Sequence, residues 1–284
     1  MADVRTHARD AKGSRALLIT LTSVAVAFTL ASAMSTALLM HRDWDTDRWH
    51  GTFHQLVHVG RELSVATWFS SALWLLLAFL AFTAGVLAHS KRGYWYAFGA
   101  IAAFASMDET ATIHEKFYAA GSAIAQYLPF DVFSYRWVIV GVIIAIVVAL
   151  ALLPFVLSLP RPVTIGVIAG GAVFLAGAIG LETVGGHLED VYGDRSWQLH
   201  AIMHVEEFFE YMGVAIAIYA LSGMIRLVRR NGSRSLVFTG YRDDVERANL
   251  AAGAERLHLD GTTQENASPS IDEDASTPNE SPRV

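Results

Sequence analysis

Long apolar runs constrain this chain more than any other feature. Crossing the hydrocarbon of a bilayer as a helix takes about 20 mainly apolar residues, and every buried N–H and C=O must be bonded within the segment. Such runs occupy 16–40, 65–89, 94–115, 136–159, 162–184 and 197–225. They predict an all-α, polytopic integral membrane helix bundle of about six transmembrane helices. Composition agrees, since 53% of the 284 residues are hydrophobic and only 17% are charged, too apolar a balance for an ordinary soluble domain.

The flanking Lys and Arg set an orientation. Arg5, Arg9, Lys12 and Arg15 precede the first run, and Lys91 and Arg92 lie between the second and third. Arg161 separates the fourth and fifth, and Arg226, Arg229, Arg230 and Arg234 follow the sixth. Six spans put all four groups on one side, which predicts two cytoplasmic termini and a plasma-membrane location. Ala31-Ser32-Ala33 resembles a signal cleavage site, but an apolar run of about 25 residues favours a retained helix. The expected layout is a cytoplasmic segment at 1–15, a transmembrane domain at 16–230 with an outer loop at 41–64, and an acidic, largely disordered cytoplasmic tail at 231–284.

That tail holds ten Asp and Glu against five Arg, so most of the net charge of -6 belongs to it. No continuous basic surface remains to follow a phosphate backbone, so nucleic acid is excluded as a partner and membrane lipids are expected. The absence of cysteine excludes disulfides and thiolate chemistry.

Three runs turn polar toward one end. The third reads Ser106-Met107-Asp108-Glu109 and continues to Ile113-His114-Glu115; the fifth ends on Glu182 and His187; the sixth opens with His200, His204, Glu206, Glu207 and Glu210. Given the topology, all three polar stretches fall in the outer halves of their helices. An ionised carboxylate at the centre of a membrane helix costs about 2.5–3.5 kcal/mol, so five unpaired acids would cost on the order of 10 kcal/mol. No Lys or Arg lies at that depth. Compensation must come from protons, water, histidinium or a bound cation.

At about 100° per residue, His200, His204, Glu207 and Tyr211 share one stripe of the sixth helix, and Glu206 points nearly opposite His204. Imidazole mixed with carboxylate suits zinc, manganese or iron. The expected metal ligands are therefore Glu109, His114, Glu182, His200, His204 and Glu207, with Asp108 or Glu210 as the catalytic base on bound water. There is no His-Glu-x-x-His, and no Glu-x-x-His at any of these site histidines, which argues against zincin and di-iron designs. In the outer loop, His50, His54, His58 and Glu62 recur every fourth residue. They predict an amphipathic interfacial helix, either with a solvated polar face or acting as a lid that adds a ligand or responds to acid pH.

These motifs resemble a family of bacterial multi-pass proteins of uncharacterised function. The family pattern is matched by Asp108-Glu109 with Ile113-His114-Glu115, by Glu182 with Gly185 and Gly186, and by Glu206, Glu207, Glu210 and Gly213, the methionine being displaced to Met212. Thr67 to Ser71 fits as well, with Ala66 where a proline is expected. A weaker resemblance, through Ser106, Asp108, His200 and His204, is to the ceramidase and progestin-receptor-like membrane hydrolases, and it implies zinc chemistry at the outer leaflet. The sequence thus leads to a divalent-metal site that hydrolyses a lipid or lipid-linked substrate. A proton- or cation-coupled transporter and a non-catalytic assembly or sensor protein are the alternatives.

Overall fold

The computed structural model describes residues 2–42, 48–128, 133–230 and 233–244. Most of the largely disordered tail expected at 231–284 lies outside the described residues. Two compact units are present, Met1–Arg242 and Asp243–Val284, and the second is described only at Asp243 and Asp244.

The first unit is mostly helical: α1 (Ala2–His41), α2 (Arg48–Val57), α3 (Val65–Leu87), α4 (Arg92–Ala111), α5 (Tyr118–Ala125), α6 (Trp137–Leu157), α7 (Arg161–Leu175), α8 (Glu182–Tyr192) and α9 (Trp197–Ser222). Helix starts follow local chemistry. Ser64 caps α3 by accepting the Thr67 N–H, Ser196 caps α9 by accepting that of Leu199, and Pro160 with Pro162 opens α7.

Among the described residues, four helices are long and apolar enough to cross a membrane: Gly13–His41, Val65–Leu87, Trp137–Leu157 and Arg161–Tyr192. The remaining expected spans correspond to α4 and α9, whose apolar runs are diluted by the acids they carry. Both pack alongside the apolar helices, α4 on α3, and α9 on α1, α3 and α7. The central α9 supplies much of the core, where Tyr211, Val214, Ile218 and Leu221 meet Phe69, Leu73 and Leu77 of α3.

The fifth span differs from its expected form. It does not end near 184 but runs to Tyr192, and a π-helical turn at Ala176–Leu181 joins α7 to α8. Such a turn widens the helix by one residue and shifts the side chains beyond it round the axis. The run carries four closely spaced glycines, Gly166, Gly170, Gly177 and Gly180, a spacing suited to tight helix packing, and three of them pack tightly. A Cβ added at Gly166 would stand 2.6 Å from Ala220 Cβ, one at Gly170 would stand 2.6 Å from the Gly213 carbonyl oxygen, and one at Gly177 would meet the Glu206 carbonyl oxygen at 2.9 Å. Gly180 faces open space.

After α9 the chain forms an antiparallel hairpin, β1 (Ile225–Arg230) with β2 (Ser233–Phe238). The sequence placed the end of a span and the start of a tail there, because these short arginine-rich strands carry no clear β signal. Phe238 and Tyr241 anchor the hairpin on Trp95, whose Nε1 donates to Tyr241 Oη at 3.2 Å.

Candidate functional site

The carboxylates of α4, α8 and α9 open onto one cleft of about 1250 Å³. Asp108 and Glu109 come from α4, Glu182 and Glu189 from α8, and Glu206, Glu207 and Glu210 from α9. Glu62 and Glu115 join them at the wall. Among the described residues, Arg61 is the only Lys or Arg lining the cleft. The rest of the wall is hydrocarbon, with Leu152, Val156 and Val167 deep inside and Phe104, Ile144, Leu153 and Ile168 exposed where α4, α6 and α7 diverge. One end is therefore acidic, and the other is apolar and laterally open.

The local chain explains how each acid reaches this place. Gly177 and Gly170 let the helix through Arg161–Tyr192 lie close against α9, and the π turn then brings Glu182 into hydrogen-bonding contact with Glu206. Two carboxyl groups in such contact must share a proton or a cation. Glu109 accepts from Trp74 Nε1 at 3.2 Å, and Tyr211 lies beside Glu207. At the mouth, the Tyr135 hydroxyl donates to Glu189. Burial and that contact hold the Tyr135 phenol above its usual range.

Asp108 and His114 form a polar pair in the cleft joined by two hydrogen bonds. Helix α4 ends on Thr112, whose backbone is left-handed with φ 46°, an unusual state for a β-branched residue, and whose N–H donates to the Asp108 carbonyl at 2.8 Å. This reversal returns His114 to its own helix end. The His114 backbone N–H donates to Asp108 Oδ1 at 2.8 Å, and Nδ1 donates to Oδ2 at 2.9 Å. A carboxylate on Nδ1–H fixes the tautomer and leaves the Nε2 lone pair of the neutral ring available. The ring also packs 4.4 Å from Trp137.

Six of the eight expected site residues thus line one cleft: Asp108, Glu109, His114, Glu182, Glu207 and Glu210. His200 and His204 do not join them. They belong to a second cluster with His54 and His58, beneath α2, where His58 lies 6.0 Å from each of them between ring centroids. The physical reason lies in the neighbours of α9. Its cleft face spans about 120°, from Gly213 through Glu206 to Glu207, while both histidines sit further round, toward α1 and α2. Glu206, set aside because it points away from His204, is for that reason inside the cleft.

The roles shift accordingly. Asp108, expected as a base, orients His114, expected as a ligand. Without His200 and His204 the remaining donors are mainly oxygen, a set better matched to a hard cation than to zinc. Among the described residues, no three His, Asp or Glu side chains stand arranged to hold a metal ion.

Comparisons with curated proteins and with solved structures each returned no match. The helical bundle that builds the cleft, from α1 to the end of α9, coincides with a family match over residues 16–224, and by that match the chain belongs to the family described as Domain of unknown function (DUF8692).

Proposed function

We propose that the protein takes a lipid-like molecule into the cleft sideways from the bilayer, with its hydrocarbon between α4, α6 and α7 and a positively charged head at the carboxylates. The observation that carries this reading is the division of the cleft, with nine acids against one arginine at one end and aliphatic and aromatic side chains at the other. A cationic head, together with protons shared between carboxyls, supplies the charge that no buried Lys or Arg provides. The apolar inner part of the cleft offers no polar route across a membrane, which disfavours ion transport. In this reading the chain has six spans, α4 and α9 included, with both termini in the cytoplasm of a bacterial cell and the acidic end in the outer leaflet.

Native mass spectrometry of the protein released from nanodiscs tests the proposal. A long-chain amine should remain bound to the wild type and be lost from Glu207→Gln/Glu210→Gln, while a neutral diacylglycerol is not retained. Equal retention of both lipids, or retention by the variant, would sink the idea.

A hydrolytic role is a second reading, favoured by the Asp108–His114 pair in the wall. Water would add to an acyl carbon of the bound molecule and give its proton to His114 Nε2. The bond to the leaving alkoxide breaks, and that oxygen takes the proton back. Asp108→Asn should then lower turnover on the order of 10²–10⁴-fold by releasing the tautomer, with binding retained. Unchanged turnover would remove this second reading and leave binding standing.

A further inference from the structure

The histidines absent from the cleft form a site of their own. His54 on α2 and His58 just after it stand 4.6 Å apart between ring centroids, and His58 meets His200 and His204 edge-on at 6.0 Å each. His58 and His204 are each only 7% exposed. Hydroxyls of α1 knit the group together. Ser32 Oγ accepts the Val59 N–H at 3.1 Å and lies 2.9 Å from His204 Nε2, and Ser35 Oγ lies 3.0 Å from His54 Nδ1.

These contacts fix the protonation pattern. His204 Nδ1 is bonded to the His200 carbonyl, which can only accept, so Nδ1 carries the proton and Nε2 takes the Ser32 hydroxyl hydrogen. Ser35 spends its hydrogen on the Ser32 carbonyl at 2.9 Å, so His54 Nδ1 must donate to it. His58 Nδ1 is buried with no hydrogen-bond partner. Neutral rings satisfy every one of these contacts, and a proton added at His58 finds no acceptor.

Among the described residues, no acid stands ready to stabilise a charged ring at His54 or His58. The titratable groups facing His58 are His54 and Arg61 from its own segment, with His200 and His204 from α9. His54 faces Arg61, His58, His200 and His204. Helix α1 contributes only the hydroxyls of Ser32, Ser35 and Thr36, and Asp194 faces His200. The segment that carries His58 goes on to line the cleft with Val59, Gly60, Arg61 and Glu62. A Cβ added at Gly60 would fall 2.2 Å from Met203 Sδ, so this segment is seated tightly on α9.

We infer that the four-histidine cluster is an acid-sensitive latch: protonation of His54 and His58 expels α2 and the 58–64 segment from α9 and opens the cleft to the outer surface. The inference builds on the cleft as the ligand site and names its regulation. Burial first, then the neighbouring imidazoles and Arg61, lowers His58 from 6.5 to about 3. Burial and then Arg61 and His204 lower His54. The direction follows by linkage. A released ring titrates near 6.5 and a docked ring below it, so docking is strongest above about pH 6.5 and weakens as the pH falls below that value.

The native chain contains no cysteine, so two introduced cysteines label uniquely. Spin labels at Leu56→Cys on α2 and Trp197→Cys at the start of α9 report their separation in nanodiscs. A single short distance is expected at about pH 8, with a second, longer population growing between about pH 6.5 and pH 5. His54→Asn/His58→Asn should abolish the pH response. A distribution unchanged between those limits overturns the latch whatever the variant does, and so does a response that survives in the double variant. The distance is read without ligand, so failure of the latch and failure of the lipid proposal are separable.

Discussion

Ser32 shows how much of the arrangement rests on single polar atoms. Its hydroxyl meets the Val59 N–H and His204 Nε2 inside a buried patch, so Ser32→Ala strands a donor and an acceptor at once. The expected loss is about 1–3 kcal/mol, read as a lower melting temperature in detergent and as faster hydrogen exchange at Val59. An unchanged melting temperature would mean that water replaces the hydroxyl freely. At this scale the sequence was partly legible. Burying unpaired acids is costly, so the gathering of Asp108, Glu109, Glu182, Glu207 and Glu210 along one cleft was to be expected from residue type. Partner choice did not follow. On a helical wheel His204 and Glu207 lie about 60° apart and read as one stripe, yet His204 bonds α1 while Glu207 faces α4. Only tertiary packing separates them.

At the scale of elements, the contact between the Arg161–Tyr192 helix and α9 decides where the acids stand. Gly177→Leu leaves every acid in place but drives a side chain into the Glu206 carbonyl and Glu210 Cγ, the latter 3.0 Å from the added Cβ. Overpacking of this kind costs about 1–3 kcal/mol. It should part Glu182 from Glu206 and weaken ligand retention as much as removing an acid does, which the same mass spectrometry can measure. The glycines signalled this contact in the sequence. The π turn at Ala176–Leu181 gave no such signal, because one extra residue within an apolar run leaves its hydropathy unchanged while breaking the 3.6-residue phase on which a wheel depends. The hairpin at 225–238 was hidden for another reason: the first strand, with three arginines in six residues, looks like the basic flank of a span.

For the whole molecule, two of the three acid-bearing helices, α4 and α9, are the ones whose composition falls short of a simple span. That is the expected result of building a polar site inside a membrane bundle, where the functional helices lose hydropathy and must be sheltered by more apolar neighbours. Six spans then require the N- and C-termini on the same side. Reporter fusions at residue 1 and after residue 244 should both show cytoplasmic activity, and one after residue 60 should show the opposite. Opposite sides for the two termini would exclude α4 or α9 as a span.

The central claim is that the cleft holds a lipid-like molecule head-first against its carboxylates. An experimental structure in nanodiscs, at a resolution that shows acyl chains, tests it most directly. The account predicts elongated density running from Glu207 and Glu210 out between α4, α6 and α7. A cleft filled by ordered water alone, or by a lipid whose head lies away from the acids, would contradict it.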